Sequence, residues 1–330
     1  MSKQYYNPFK NLNFNDNTCF LTGAELSDEE SKINIFPEWV IDRFDYKGKK
    51  FTLIDTFHSF AYEDFKLPCS SEVKAEFDKL EKEVEAAFDK GYDGMAALGE
   101  EKLFLWTGKM VYGILFYELK VEQQKMQRRK SELQLSEVLL KRFGLFHLML
   151  QSITEPISFG KKKPWSINLV KLKYSKDIFH FRDSTVDLHF SLGVNGFGII
   201  ASYYDNGLIE EEHADVLEKI NDTTLHPAQF EELCARFLYS SFLLKYMPKP
   251  KFTKLDHELK IAAEPIPEDQ NHGLFDRWDD EMFAQVLANY WEVWGLMMGD
   301  IYKPPNSPIS FLENPVDYQF ILPEEIKLPF

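Results

Sequence analysis

The sequence predicts an α+β protein built in two parts. Three features carry that reading. Apolar residues recur at spacings of three and four through the first half, as on helix faces. From Trp165 onward, apolar and polar residues alternate, as along strands. Helical spacing then returns and ends in a proline-rich tail. Helices followed by a run of strands point to α+β rather than to a parallel α/β sheet.

The elements follow in order. Residues 33–36 read as extended. Residues 37–44 read as a short helix opened by Pro37, whose missing N–H is no loss in a first turn. Residues 51–54 suit a strand. Residues 70–89 form the strongest helical pattern, with Val73, Phe77, Leu80, Val84 and Phe88 on one face and Ser70 or Ser71 as cap. Gly91 is the expected stop. Helices are expected over 99–127 and 133–152. Strands are expected over 165–172, 186–192 and 197–203, the last two joined by a hairpin turn at 193–196. Helices return over 210–220, 227–246 and 278–299, where Trp291, Trp294, Met297 and Met298 read as core. The expected domains are 1–158 and 159–330.

The chain has 330 residues, 44% of them apolar and 28% charged, with 29 Phe. That excludes wholesale disorder, which needs too little apolar surface to offset ordering entropy, and it implies a large aromatic core. Net charge is −15, which argues against a protein coated in positive charge for nucleic acid. The charge is segregated, however. Residues 109–176 hold 14 Lys and Arg against 5 Asp and Glu, a net of +9. This segment carries Arg128, Arg129 and Lys130, then Lys161, Lys162 and Lys163. Those two clusters are the expected contact surface for nucleic acid or an acidic protein.

Three cysteines (Cys19, Cys69 and Cys234) are too few for a disulfide framework. The start of the chain has no apolar leader core, and the apolar stretch 103–119 is broken by Lys109 and Glu118. The expectation is a cytoplasmic setting with no membrane partner.

Several fragments agree in order and spacing. A first turn reads Cys19-Phe20-Leu21-Thr22-Gly23. A middle stretch reads Ile33-Asn34-Ile35-Phe36-Pro37-Glu38-Trp39-Val40. A second turn reads Cys69-Ser70-Ser71-Glu72-Val73, with Leu80-Glu81 beyond it. Trp106-Thr107-Gly108-Lys109 follows. Over residues 17–118 this resembles bacterial HNH-endonuclease-like proteins of the treble-clef kind. Those carry two Cys-x-x-Cys zinc knuckles, a His-Ile-Phe-Pro-x-Trp stretch and a later Trp-x-x-Lys helix. The resemblance implies a zinc-knuckle fold, a His base and metal-dependent hydrolysis.

The departures bear on function. Structural zinc takes four Cys or His ligands, whereas Thr22 and Glu72 stand at the second position of each knuckle. The His position is Asn34, whose amide cannot take a proton at neutral pH. The resemblance therefore implies vestigial knuckle positions Cys19, Thr22, Cys69 and Glu72, no bound cofactor or metal, and no catalytic residue. The leading expectation is an inactive HNH-related binding protein. The alternatives are a divergent nuclease with a metal site rebuilt from Glu72, Asp64 or His58, and a structural or toxin-neutralising partner. Elsewhere, strand alternation puts His180 and Arg182 on one face and Asp187 and His189 on another.

Overall fold

The computed structural model describes residues 5–27, 32–245, 249–264 and 273–328. Most of the acidic run 27–30, together with His272 and Pro329, lies outside the described residues. The chain is α+β, with several small sheets and ten α-helices among the described residues. Residues 1–158 with 253–260 form one compact unit; residues 159–252 with 261–330 form a second. Segment 253–260 thus returns to the first unit, which a cut by position alone misses.

The first unit begins with a turn at Cys19. The Cys19 N–H donates to Ala24 O at 2.8 Å, and the Gly23 N–H donates back to Cys19 O at 3.0 Å. Gly23 has φ +74°, and a Cβ there would lie 2.3 Å from the Tyr6 ring. Only glycine meets both demands. Strand β1 (Lys32–Asn34) pairs antiparallel with β4 (Lys66–Pro68), Ile33 opposite Leu67. Between them lie α1 (Glu38–Arg43) and the hairpin of β2 (Lys50–Thr52) and β3 (Ser59–Ala61). The Phe20 N–H donates to Pro68 O at 2.8 Å, which ties the first turn to the end of β4.

Helix α2 (Ser71–Phe88) starts where Ser70 Oγ accepts the Val73 N–H, and it buries Val73, Phe77, Leu80, Val84 and Phe88. Gly91 does not end the helical region. It turns the chain at φ +66° and opens α3 (Gly91–Leu98). Gly99, at φ +79°, separates α3 from α4 (Glu100–Arg128). Helix α5 (Glu137–Leu150) follows. Trp39, from the Phe-Pro-x-Trp stretch, stacks on Trp106 of α4 at 6.3 Å between ring centroids. The two sequence signatures are therefore one packing contact.

Strand β5 (Ile157–Phe159) lies at the division between the units. The second unit holds a four-stranded antiparallel sheet in the order β6-β9-β8-β7. Its strands are β6 (Ser166–Leu172), β7 (Phe179–Ser184), β8 (His189–Val194) and β9 (Gly196–Ser202). The expected strand over 186–192 is displaced, because residues 185–188 make a turn and β8 begins at His189. Only Asn195 separates β8 from β9. In register, His180 faces Gly193, Arg182 faces Ser191 and Ser184 faces His189. Cross-strand partners share a face, so His180, Arg182 and His189 point to the same side. Separate faces for them is corrected by that register.

Short helices α6 (Leu208–Glu212) and α7 (Ala214–Ile220) precede α8 (Pro227–Leu243). Phe230 of α8 sits over Gly193 and Gly198 of the sheet; a Cβ at Gly198 would come within 2.3 Å of its ring. Strands β10 (Lys251–Lys254) and β11 (Leu259–Ala262) follow. Helix α9 (Asp280–Trp291) packs on α8, and α10 (Met298–Ile301) ends the helical part. Trp291 is fully buried, but Met297 is 65% exposed and is not core. It lies beyond the end of α9, where the helical face no longer governs direction. No described helix is long and apolar enough to cross a membrane.

Candidate functional site

Cys19 and Cys69 come near one another. Cys19 and Cys69 are both wholly buried free thiols. The Cys19 thiol donates to Ser70 Oγ at 3.9 Å. Burial, with the neighbouring Cys19 adding to it, pushes the Cys69 thiol up to about 12. A thiol protonated at neutral pH is a weak nucleophile. The other two positions turn elsewhere. Thr22 Oγ1 accepts the Ala24 N–H of its own turn at 3.4 Å, and Glu72 is exposed on the first turn of α2. Among the described residues, no group of three or more His, Cys, Asp or Glu is placed to hold a metal ion.

An imidazole braces the Cys19–Gly23 turn from the side. His147 of α5 is fully buried, with Nε2 2.7 Å from Phe20 O. Its Nδ1 lies 3.1 Å from Gln151 Nε2, which also donates to Tyr6 O at 2.8 Å. An amide nitrogen only donates, so Nδ1 accepts and Nε2 carries the proton. Burial lowers the His147 pKa to about 4, keeping the ring neutral. No spacing in the sequence marks His147, because its partners lie 127 and 4 residues away.

Asn34 is half-buried and its carbonyl oxygen is occupied. Lys109 Nζ donates to it at 2.8 Å and also pairs with the Glu81 carboxylate. The Lys109 side chain has no exposed surface. Its ammonium lies 6.0 Å from the Phe77 ring centroid. A buried cation is tolerable only when a carboxylate and further acceptors surround it, and Glu81 with the Asn34 carbonyl supply them. Leu80-Glu81 and the Trp-x-x-Lys fragment therefore meet at Asn34.

His58 is elsewhere. Its Nδ1 lies 2.7 Å from Asp55 Oδ2, and Lys125 Nζ donates to the same oxygen at 2.7 Å. Lys125 holds the Asp55 carboxyl well below the usual range. Sixteen residues separate Lys125 from Lys109 along α4, about 24 Å at the helical rise. His58, Asp64 and Glu72 thus do not form the rebuilt metal group that their sequence positions allow.

The basic segment is not one bare face. Lys109 is buried, Lys120 pairs with Asp16, Lys125 with Asp55, Lys141 with Glu137 and Lys171 with Asp222. Arg128, Arg129 and Lys130 are exposed where α4 ends, and among the described residues none makes an ion pair. Cations are favoured at that end of the helix dipole. Lys161, Lys162 and Lys163 belong to the second unit. There Lys162 pairs with Glu211 at 2.6 Å, and the Lys163 ammonium lies 5.9 Å from the Phe159 ring. Of the two triplets, the first is the less neutralised among the described residues.

No family model, curated protein or solved structure matches the chain. The chemistry rests on the residues themselves.

The second unit holds a buried polar cluster that sequence reasoning did not single out. The Arg182 guanidinium lies 4.6 Å over the Tyr290 ring. Burial pushes Glu231 of α8 up to about 7, even though its carboxylate accepts the Trp294 Nε1–H at 2.5 Å. Cys234, one helical turn on, is raised well above its ordinary value by burial. Strand alternation marked Arg182, but Glu231, Cys234 and Tyr290 sit within apolar helix patterns that read as core. Such groups stabilise one arrangement of α8 and α9 over the sheet. The Cys234 thiol is too protonated to act as a nucleophile.

Proposed function

We propose that this chain is a non-catalytic binding protein whose first unit keeps an HNH-like, treble-clef layout without its hydrolytic chemistry. The observation that carries this is the Asn34 site. Hydrolysis of a phosphodiester by this layout needs a base to activate water and a metal to take up developing charge. Asn34 offers no base. The space behind its backbone is filled by the Lys109–Glu81 pair, a cation where the reaction needs a cation-binding site. Lys109 is itself fully committed to two acceptors.

The contact surface in this reading is the exposed end of α4, Arg128-Arg129-Lys130, and the partner is nucleic acid. Three uncommitted cations on one exposed helix end supply counterion-releasing phosphate contacts without sequence readout. The test is binding to a duplex oligonucleotide as a function of salt. Changing all three to Glu should weaken binding and lower the log–log salt slope by about 3. Binding unchanged by that substitution overturns the surface. Nicking of plasmid DNA in magnesium or manganese overturns the non-catalytic reading.

A further inference from the structure

The second unit contains a cleft of about 310 Å³ between α6, α8, the start of α9 and the proline-rich tail. One wall is a closed ionic network. Arg236 donates to Glu232 at 2.8 Å and to Glu313 at 2.7 Å, and Lys219 reaches Glu313 at 2.5 Å. Glu232, fully buried, also accepts from Ser310 Oγ and from the Phe311 and Leu312 N–H groups at 2.7, 2.7 and 3.2 Å. This wall is satisfied and fixes the tail against α8.

The opposite side is not satisfied. Glu212 and Asp280 line the cleft, and among the described residues neither carboxylate makes a hydrogen bond or an ion pair. Aromatic residues line the same cleft. Trp278 is held edge-on to Tyr239 and tilted against Phe283, each at 4.7 Å between centroids, and Tyr318 lines the mouth with 66% of its surface exposed. His213 also lines the cleft, but burial lowers its pKa to about 4, so it adds no positive charge. Arg236 and Lys219 thus compensate Glu232 and Glu313, while Glu212 (exposed) and Asp280 (half-buried) have no cationic partner among the described residues.

We propose that this cleft binds the cationic head of an alkylammonium or alkylguanidinium compound. The two unpaired carboxylates supply charge-assisted acceptors, and the Trp278 and Tyr318 faces attract a cation through their ring quadrupoles. The volume suits a group of side-chain size. An anion is repelled. A neutral ligand leaves both carboxylates uncompensated. A bare metal ion finds no three-ligand group among the described residues. The cation comes either as a free amine or as a Lys or Arg side chain presented by a polypeptide.

The test uses the full chain and isothermal titration, with tryptophan fluorescence as a second readout. The probes are n-butylguanidinium, n-butylammonium and the neutral isostere n-butylurea. Agmatine and the peptide acetyl-Gly-Arg-Gly-amide separate the two sources, the tighter of them identifying which applies. Both cations should bind at least about tenfold tighter than butylurea. Glu212→Gln with Asp280→Asn should weaken cation binding by about tenfold or more. Tyr318→Leu, at an exposed position, should weaken it by about fivefold while leaving the fold intact. If Asp280→Asn disturbs the start of α9, Glu212→Gln alone carries the comparison. Equal binding of butylurea, cation binding unchanged in the carboxylate variants, or no cation binding at tens of millimolar overturns the proposal.

Discussion

The Lys109 ammonium donates to the backbone carbonyl of Asn34 at 2.8 Å while pairing with the Glu81 carboxylate, and its side chain is wholly enclosed. One contact thus joins β1, α2 and α4. Removing one partner of a buried pair leaves a charge without compensation. Lys109→Met should cost about 3 kcal/mol, because Glu81 keeps some exposure and can recover part of its solvation. Lys109→Met with Glu81→Leu should cost less than Lys109→Met alone. Urea unfolding of the parent and the two variants, read from their midpoints, checks this.

His147 makes stability depend on pH. Its folded pKa is about 4, against about 6.5 in an unfolded chain. The unfolded state therefore binds the extra proton between those values. The stabilisation is complete above about pH 6.5 and is lost as pH falls towards 4, by roughly 3 kcal/mol over the window. His189 and His213, lowered to about 3 and about 4, act in the same direction. Glu231 and Asp205, raised to about 7 and about 6, act oppositely, since acidification relieves their buried charge. In His147→Gln the fall in stability between pH 6.5 and 4 should be shallower than in the parent. A parallel fall in both proteins means that His147 is not a source of the dependence.

The cysteines should be silent in the folded protein. All three are buried, and the Cys69 thiol is pushed up to about 12. Reaction with a disulfide reagent at pH 8 should proceed only through unfolding and should release three thiols in denaturant. A fast-reacting thiol in native buffer contradicts the enclosure. Added zinc should leave the melting temperature unchanged, because Thr22 and Glu72 do not complete a four-ligand site.

Gly198 and Phe230 set the distance between the sheet and α8. A Cβ at Gly198 would come within 2.3 Å of the ring, which is itself 2% exposed and has little room to move. Gly198→Ala should destabilise the second unit by about 2 kcal/mol, the scale of overpacking. Adding Phe230→Leu should return part of that loss, since the smaller side chain vacates the contested volume. Thermal unfolding of the single and double variants checks the coupling.

The sequence by itself determined the α+β class, because helical and strand periods are local properties written in consecutive residues. It also determined the face of α2, from Val73 to Phe88, and that Asn34 offers no proton-accepting side chain, since residue type alone fixes whether a side chain can take a proton. Boundaries set by backbone turning were less legible. Gly91 reads equally as a stop or as a pivot, and the turn over 185–188 displaces a strand whose alternation runs through it. Only the tertiary structure decided which residues meet. It brought Cys19 to Cys69 but left Thr22 and Glu72 turned away. It set His147 against Phe20 across the unit and moved His58 to the far end of α4. It also assembled Glu212, Asp280, Trp278 and Tyr318 around one cleft. Charge and hydrogen-bonding capacity belong to single residues, whereas burial, pairing and enclosure belong to distances between segments far apart in the chain. Those distances paired several cations of the +9 segment and left Arg128, Arg129 and Lys130 exposed at the end of α4.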